Sequence, residues 1–477
     1  MITDLFEHMA KRPNSIAFVD DEQSLDYGAL SRRVGGMAGV LQTAGPTVGI
    51  LEANGIDWVV AYLAAMFTGK TIVPLPPFFS NQQLQHIIAD AGVDAVLGSA
   101  PERVKSISPD MSTLEISEIQ ANLDVSAYTA EWQVIIYTSG TTGAPKGVRL
   151  GSTQVSASVL ALAATILPGP DDRYLSILPF SLLLEQITGI LLPIHVGACS
   201  FIASGASLAA LGGDIMPFIE AVNTIKPSIT VLVPNILEGW VKALGLMKAK
   251  APASLRFVAV GGAHVPMSLT LMARDVGVPA FEGYGLSECC SVVAVNAPGA
   301  DRPGSVGRPL PTLSVTIEQG EIIVDGPAVM SGYLGREDID GRWHTGDMGF
   351  LDEDGFLHVQ GRADNMLVTS LGRNVTPEWI EAMITADKRI RRCIVIGQGK
   401  PTLSAVVVPS MEGQAWFDCA DSSDVSSLIE DLCREAPTYA RPGAFILVEE
   451  ASFLEYGFVG DNGRVNRHVI DANFCSA

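Results

Sequence analysis

The stretch "WQVIIYTSGTTGAPKGV", residues 132–148, carries the strongest structural signal in the chain. Its first six residues are mostly apolar and β-branched, a composition that favours a buried strand. The Gly, Ser and Thr residues that follow predict a loop at the carboxyl end of that strand, where ligands bind in open α/β sheets. Glycines let backbone N–H groups converge, hydroxyls add donors and Lys146 adds a positive charge. We therefore predict an anion cradle.

The loop is not a Walker A loop, because Pro145 precedes Lys146 and no GK[ST] ending follows. Further strand-like runs at 47–51, 229–234 and 255–262 alternate with helical stretches, which predicts an α/β fold with doubly wound sheets. Shorter strands after about residue 300 predict a β-rich subdomain, and a small α+β unit follows. We place the domains at 1–362 and 363–477.

The composition, 48% hydrophobic and 17% charged over 477 residues, is typical of a compact globular protein. A net charge of −21 disfavours nucleic acids and anionic membranes as partners, since both would be repelled. We see neither a secretory signal nor an apolar run long enough to span a bilayer, and we expect a cytoplasmic protein. The seven cysteines lack the spacing of a metal site.

The loop resembles the signature loop of the adenylate-forming superfamily, which includes acyl-CoA synthetases, peptide-synthetase adenylation domains and luciferases. Other segments resemble the same superfamily in the same order, so the resemblance covers nearly the whole chain. They are "LRFVAVGGAHVP" (255–266), "GYGLSE" (283–288), "GSVGRP" (304–309), "GEIIVDGPAVMSGYL" (320–334), "WHTGD" (343–347) and "GRADNMLVTSLGRNVTPEWIE" (361–381).

The resemblance implies an AMP-forming acid–thiol ligase. Such an enzyme uses ATP and Mg²⁺ to convert a small-molecule carboxylic acid into an acyl-adenylate and pyrophosphate. The acyl group then passes to the pantetheine thiol of CoA or of an acyl or peptidyl carrier protein. The small C-terminal domain is mobile in this superfamily, and Asp364 matches its hinge.

The resemblance also implies a role for each matching residue. Catalytic roles fall to Lys146, Glu288 and Arg464, and Glu288 with Thr138 would bind the metal. Asp347 matches the acid that binds the ribose hydroxyls, and Arg362 would reach the ribose or the α-phosphate. The nucleotide-binding set also contains Thr138, Ser139, Gly140, Thr141, Thr142, Gly143, Gly261, Gly262, Ala263, Tyr284, Gly285 and Ser287.

The chain departs from the superfamily pattern near its end. "DNGRVNR", residues 461–467, has Arg464 where members carry a lysine that contacts both the carboxylate and the nucleotide. Arginine keeps the charge but has a planar, forked shape, so adenylation would be slower, differently ordered or assisted by Arg467. A catalytically degenerate nucleotide-binding regulatory protein is therefore an alternative.

The segment "LPFSLLLEQITGI", residues 178–190, matches the wall of the acyl pocket. Amino-acid-activating members usually place an Asp at its start, whereas Leu182, Leu183 and Leu184 present an apolar wall here. A buried ammonium without a partner is costly, so we expect a fatty or other apolar, non-amino acid as substrate. The alternative is an amino acid or aryl acid adenylating enzyme.

Overall fold

The structure is a computed structural model that describes residues 2–116, 118–123, 128, 131–138, 145–210, 214–456, 458, 465 and 467–474. The chain divides into two compact units. The first unit comprises Met1–Val265, Leu269–Val315 and Ile323–Trp343, and the second comprises Pro266–Ser268, Thr316–Ile322 and His344–Ala477. Within the described ranges, every helix falls short of the length and apolar character needed to span a bilayer.

The strands are numbered in chain order. They are β1 (Ile16–Val19), β2 (Ser24–Asp26), β3 (Thr47–Ile50), β4 (Thr71–Pro74), β5 (Ala95–Leu97), β6 (Ser112–Leu114), β7 (Gln133–Thr138), β8 (Lys146–Gly151), β9 (Arg173–Ser176), β10 (Cys199–Ile202), β11 (Ile229–Leu232), β12 (Phe257–Val260), β13 (Ala280–Leu286), β14 (Ser291–Val295), β15 (Arg308–Pro309), β16 (Ser314–Glu318), β17 (Glu321–Asp325), β18 (Gly332–Tyr333), β19 (Arg342–Leu351), β20 (Leu357–Arg362), β21 (Leu367–Val368), β22 (Asn374–Val375), β23 (Ile390–Ile396), β24 (Leu403–Pro409) and β25 (Pro442–Leu447).

The α-helices are α1 (Ile2–Lys11), α2 (Tyr27–Leu41), α3 (Ile56–Phe67), α4 (Asn81–Asp90), α5 (Pro101–Ile107), α6 (Ser152–Ile166), α7 (Leu183–Glu185), α8 (Leu192–Val196), α9 (Ser204–Ala210), α10 (Met216–Ile225), α11 (Pro234–Met247), α12 (Met267–Asp275), α13 (Pro377–Thr385), α14 (Gln414–Cys419), α15 (Ser422–Leu432), α16 (Glu450–Glu455) and α17 (Arg467–Phe474). A π-helical segment, Gln186–Leu191, lies between α7 and α8, and 3₁₀ turns occur at Ser287–Cys289, Ala363–Asn365 and Thr438–Ala440.

A seven-stranded sheet, in the order β18-β8-β7-β4-β3-β5-β6, contains the predicted strand before the anion loop. Its strands from β7 to β6 are parallel, and β8 and β18 add an antiparallel edge. Val48, Ile72 and Val134 on its central strands are fully buried. Strands that are covered on both faces need continuous apolar runs, which explains why "WQVIIY" is readable from the sequence.

A nine-stranded sheet, in the order β15-β14-β13-β12-β11-β9-β10-β1-β2, carries the segments matched at 255–266 and 283–288. The strands from β13 to β1 are parallel, and the outer strands are antiparallel. Parallel strands joined through helices have their carboxyl ends along one edge. The turns that follow β12 and β13 therefore lie next to each other.

The later part of the chain forms smaller sheets. One has four strands in the order β16-β17-β19-β20, one has three in the order β23-β24-β25, and β21 pairs with β22. In the second unit, α13 packs on β23 around the buried side chains of Ile380, Ile384 and Val395. The predicted α/β fold class, with a β-rich part and a smaller α+β C-terminal part, is confirmed. The boundary at 362/363 stays a prediction.

Candidate active site

The two ends of the predicted phosphate loop lie side by side at the end of a hairpin. β7 and β8 are antiparallel neighbours, and Thr138 pairs in register with Lys146. Because β7 is also parallel to β4, β7 ends at the carboxyl edge of the sheet, where the sequence predicts the loop. The loop residues named from the sequence lie outside the described residues, and their roles stay predictions: Ser139, Gly140, Thr141, Thr142 and Gly143.

Lys146 and Glu288, two of the predicted catalytic residues, are brought together around Tyr333. The Tyr333 hydroxyl donates a hydrogen bond of 2.7 Å to Glu288 Oε1. Lys146 Nζ lies 5.7 Å from the centroid of the same ring. Tyr333 was not predicted from the sequence, although it lies in the matched segment ending "SGYL". We refer to these three residues as the Lys146–Tyr333–Glu288 cluster.

The residues around Glu288 fit a magnesium ion that is shared with a nucleotide. In the described part of the chain, no group of three or more His, Cys, Asp or Glu side chains could hold a metal by itself. Mg²⁺ bound with nucleotides usually takes one or two carboxylates and completes its shell with phosphate oxygens and water. One carboxylate at Glu288 and an ammonium at the same tyrosine ring match this pattern. Thr138, the other predicted ligand, pairs in register with Lys146, and its role stays a prediction.

The predicted purine-binding glycines follow β12 at the carboxyl edge of the nine-stranded sheet. The N–H of Gly261 donates to Leu232 O at 3.2 Å, and a Cβ at position 261 would lie 3.0 Å from Gly283 O. Gly262 has a φ of +81°, a conformation that side chains rarely adopt. The turn that contains Gly261, Gly262 and Ala263 therefore approaches the backbone beside Tyr284 closely.

The "GYGLSE" segment begins as a strand, contains a bulge and ends in a 3₁₀ turn. The pairing of β13 with β14 shifts register between Tyr284 and Gly285. A Cβ at position 285 would lie 1.6 Å from Ser291 O, so this bulge requires glycine. Ser287 then begins the 3₁₀ turn that presents Glu288. One short segment thus supplies both a residue predicted to contact the purine and the predicted metal ligand.

A buried acid next to this segment was not predicted. Glu282 pairs in register with Val260 on β12, and burial raises the pKa of its carboxyl to about 8. Perturbed pKa values are common at functional sites. The signal in the sequence was a single acid within the apolar run "VPAFEGYG".

Asp347 and Arg362, both predicted to bind the nucleotide, form a pair in the second unit. They lie opposite each other on β19 and β20, and Arg362 Nη1 donates to Asp347 Oδ1 at 3.0 Å. The same nitrogen donates to Thr345 O at 2.9 Å. Asp364, the predicted hinge residue, is exposed in the 3₁₀ turn that follows, 3.8 Å from Arg362 Nη2. Its role as a hinge stays a prediction.

Arg464 lies outside the described residues, and its catalytic role stays a prediction. Arg467, the predicted assistant of Arg464, is held within the second unit by helix α13. Its guanidinium donates to both oxygens of Glu381, at 2.5 and 3.2 Å, and to Val395 O at 2.7 Å. Glu378 Oε1 is a further 3.5 Å contact. A guanidinium with these partners anchors the start of α17.

The predicted acyl-pocket leucines differ in their exposure. Leu182 is 39% exposed, Leu183 is buried and Leu184 is partly buried. The helix that they begin contains the π-helical segment Gln186–Leu191, and such segments are frequent at functional sites. Leu183 thus belongs to the core, and a shared pocket role for the three leucines stays a prediction.

Glu185, the last residue of α7 before the π-helical segment, was also missed by the sequence analysis. Its carboxyl group is fully buried and accepts hydrogen bonds from Ser176 Oγ at 2.5 Å and from Tyr174 OH at 3.3 Å. Burial raises the pKa of this carboxyl to about 8, against the opposing effect of the two hydroxyls. The group is therefore mostly uncharged at neutral pH.

Comparison with known families identifies the chain. Residues 5–334 match the family described as AMP-binding enzyme, and residues 364–452 match the AMP-binding enzyme C-terminal domain. The chain belongs to the AMP-binding enzyme family. The predictions of the adenylate-forming superfamily and of the AMP-forming acid–thiol ligase class are confirmed.

Among curated proteins, the chain is similar to a 2-succinylbenzoate–CoA ligase from Bacillus cereus (strain AH820). The two are 30% identical over 381 residues, which cover 74% of this chain and 75% of the relative. It is also similar to a long-chain-fatty-acid–CoA ligase from Mycobacterium bovis, with 24% identity over 536 residues, 91% of this chain and 87% of the relative.

Among solved structures, the chain resembles the o-succinylbenzoate–CoA synthetase of Bacillus subtilis. In its complex with the acyl-adenylate intermediate, that enzyme aligns with a TM-score of 0.79 and 22% identity, over 98% of this chain and 97% of its own. Another structure of the same enzyme contains ATP and a magnesium ion. At this identity the likeness establishes the fold.

Proposed function

We propose that this enzyme activates a carboxylic acid with ATP, releases pyrophosphate and transfers the acyl group to the thiol of CoA. The observation that carries the proposal is the Lys146–Tyr333–Glu288 cluster at the base of the phosphate-loop hairpin. An ammonium and a carboxylate that contact the same tyrosine support the binding of a metal-bound triphosphate at this position. The names of the relatives, which are CoA ligases, support the same reaction.

The reaction is limited by electrostatics rather than by the strength of the nucleophile. A carboxylate is ionised at neutral pH, but it must approach a polyanion and attack the α-phosphate. We assign Lys146 and the 138–143 loop to the phosphates, Glu288 and Thr138 to Mg²⁺, and Asp347 with Arg362 to the ribose end of the nucleotide. Bound Mg²⁺ would neutralise charge on the phosphate oxygens. Arg464 would supply a further cation.

The substrate that we propose is an apolar acid without an amino group. "LPFSLLLEQITGI" contains one acid, Glu185, and its carboxyl group is enclosed by Ser176 and Tyr174 with a raised pKa. An uncharged, enclosed carboxyl cannot serve as the counter-ion of a substrate ammonium. We propose an aliphatic acid first. An aryl acid is the second candidate, which the names of the 2-succinylbenzoate ligases favour.

The acceptor and the domain arrangement are part of the proposal. The CoA ligases among the relatives favour CoA over a carrier protein. We propose that residues 363–477 form the C-terminal domain that the superfamily moves about Asp364 between its two half-reactions.

The proposed reaction is tested by its products. The purified enzyme is incubated with ATP, Mg²⁺, CoA and one acid at a time from aliphatic, aryl and amino acid sets, and AMP and acyl-CoA are measured by mass spectrometry. A phosphopantetheine-loaded carrier protein replaces CoA in a parallel series. We expect acyl-CoA and AMP in equal amounts with aliphatic or aryl acids. Products from amino acids alone, or from the carrier protein alone, would overturn the substrate or the acceptor assignment.

A further inference from the structure

The backbone around Tyr333 is fixed on two sides. β18 extends the antiparallel edge formed by β8. The N–H of Leu334 donates to Gly147 O at 2.8 Å, and the N–H of Met330 donates to Glu288 O at 2.8 Å. The segment 330–334 therefore joins the strand that follows the phosphate loop to the turn that carries Glu288.

The side chain of Tyr333 is fixed as well. The Trp343 ring packs against it in a T-shaped arrangement, at a centroid distance of 5.8 Å and an angle of 77°. Lys146 Nζ lies over the ring, and the hydroxyl donates to Glu288 Oε1. With its ring packed and its hydroxyl engaged, Tyr333 presents a rigid donor to one carboxylate oxygen.

Tyr333 also separates two opposite charges. In the described part of the chain, Lys146 and Glu288 form no ion pair with each other. The ammonium lies over the Tyr333 ring, and the carboxylate accepts a hydrogen bond from the Tyr333 hydroxyl. A direct ion pair would neutralise both groups. The intervening tyrosine leaves the ammonium available to phosphate oxygens and the carboxylate available to a cation.

We propose that Tyr333 is a positioning residue for the magnesium-binding carboxylate of Glu288. A carboxylate has about four lone-pair sites, so it can accept the Tyr333 hydrogen bond and still coordinate a cation. Residues that hydrogen-bond to metal ligands typically change metal affinity by roughly 10–100-fold. The inference rests on the proposed function, because it takes Glu288 as the ligand of Mg²⁺.

The test measures metal binding directly. Free Mn²⁺ is counted by electron paramagnetic resonance while the enzyme is titrated in the presence of α,β-methylene-ATP, which has no cleavable α–β bridging oxygen. Tyr333→Phe removes the hydroxyl and keeps the ring beside Lys146 and Trp343. Tyr27→Phe is the matched control, because it removes a buried hydroxyl that is bonded to Ala198 O and Pro193 O on other elements of the first unit.

We expect Tyr333→Phe to raise the Mn²⁺ dissociation constant about tenfold, with Tyr27→Phe unchanged and with metal-free binding of the analogue changed by less than about twofold. Unchanged Mn²⁺ affinity in Tyr333→Phe would overturn the inference. Equal weakening of metal-bound and metal-free analogue binding would also overturn it, because the tyrosine would then act through the fold. A wild-type enzyme that binds no Mn²⁺ with the analogue would instead refute the metal site of the proposed function itself.

Discussion

Two glutamate–tyrosine pairs in the first unit differ in their surroundings. At Glu288, the Tyr333 hydroxyl approaches a half-buried carboxylate that has a lysine nearby. At Glu185, Tyr174 and Ser176 donate to a carboxyl that is fully buried. Burial raises the pKa of Glu185 to about 8. The same residue types therefore give a partly exposed carboxylate in one place and an uncharged core group in the other.

The difference lies in access to solvent and to a second charge. An enclosed carboxyl lowers its energy by keeping its proton, and its hydroxyl partners then satisfy a neutral group. A half-buried carboxylate beside an ammonium can exchange its solvent contacts for a metal ion. We therefore expect Glu288 to matter for activity and Glu185 to matter for stability, and the following variants test this division.

The largest effect is expected for Glu288→Gln. The amide cannot replace a charged magnesium ligand, so we expect the rate of adenylation to fall roughly 1,000-fold, or about 4 kcal/mol of transition-state stabilisation. The measurement is the initial rate at saturating ATP and acid. Urea denaturation is the control, with a free energy of unfolding close to that of the wild type. A rate within tenfold of the wild type would remove Glu288 from the metal site.

Glu185→Ala should mainly reduce stability. The variant leaves a cavity in the core, takes away the acceptor of the Ser176 hydroxyl and removes one of two partners of the Tyr174 hydroxyl. We therefore expect a loss of about 3 kcal/mol in the free energy of unfolding. Urea denaturation monitored by fluorescence gives this value. If the variant unfolds like the wild type, the carboxyl group is not the central acceptor of this buried network.

These two pairs show which parts of the site could be predicted from the sequence and which could not. Lys146 and Glu288 could be named because each lies in a motif, and β7 could be named because a strand covered on both faces needs an apolar run. Their meeting at Tyr333 depends on β18, a two-residue strand that pairs with β8 and has no periodicity to detect. The π-helical segment was equally hidden, since "LLLEQITGIL" reads as an apolar run with one acid.

The raised pKa of Glu185 should also make the free energy of unfolding depend on pH. The folded state keeps the Glu185 proton up to about pH 8, whereas the unfolded chain releases it near the ordinary value of 4.5. Folding therefore favours the protonated form of Glu185. The free energy of unfolding falls as pH rises through this window, by about 1.4 kcal/mol per pH unit. Between pH 5.5 and 7.5, the free energy of unfolding of the wild type, measured by urea denaturation, should fall by about 3 kcal/mol relative to that of Glu185→Gln.

The control for this comparison is Glu435→Gln, which changes an exposed acid. The difference in unfolding free energy between this variant and the wild type should stay constant over the same pH range. If the difference in unfolding free energy between Glu185→Gln and the wild type is also constant, Glu185 titrates at its ordinary pKa. That result would contradict the claim that burial keeps its carboxyl group protonated.

The smallest effects are expected for the tyrosines. Tyr174→Phe removes the buried hydroxyl that contacts Glu185 and Thr188, and it should cost about 1 kcal/mol of unfolding free energy. Tyr333→Phe removes a half-buried one and should change it by less than about 0.5 kcal/mol. The losses of unfolding free energy are measured by thermal unfolding of both variants and the wild type. A larger loss at Tyr333 than at Tyr174 would mean that the Lys146–Tyr333–Glu288 cluster is mainly a structural contact.

The central claim, that this chain forms acyl-adenylates, is tested most directly by ATP–pyrophosphate exchange with Mg²⁺ and no thiol acceptor. We predict that labelled pyrophosphate enters ATP only when an apolar acid is present, and that Glu288→Gln nearly abolishes this exchange. If no acid in an aliphatic, aryl and amino acid panel supports exchange while the enzyme still binds ATP, the chain is a nucleotide-binding protein without adenylating activity towards these acids, and the account is contradicted.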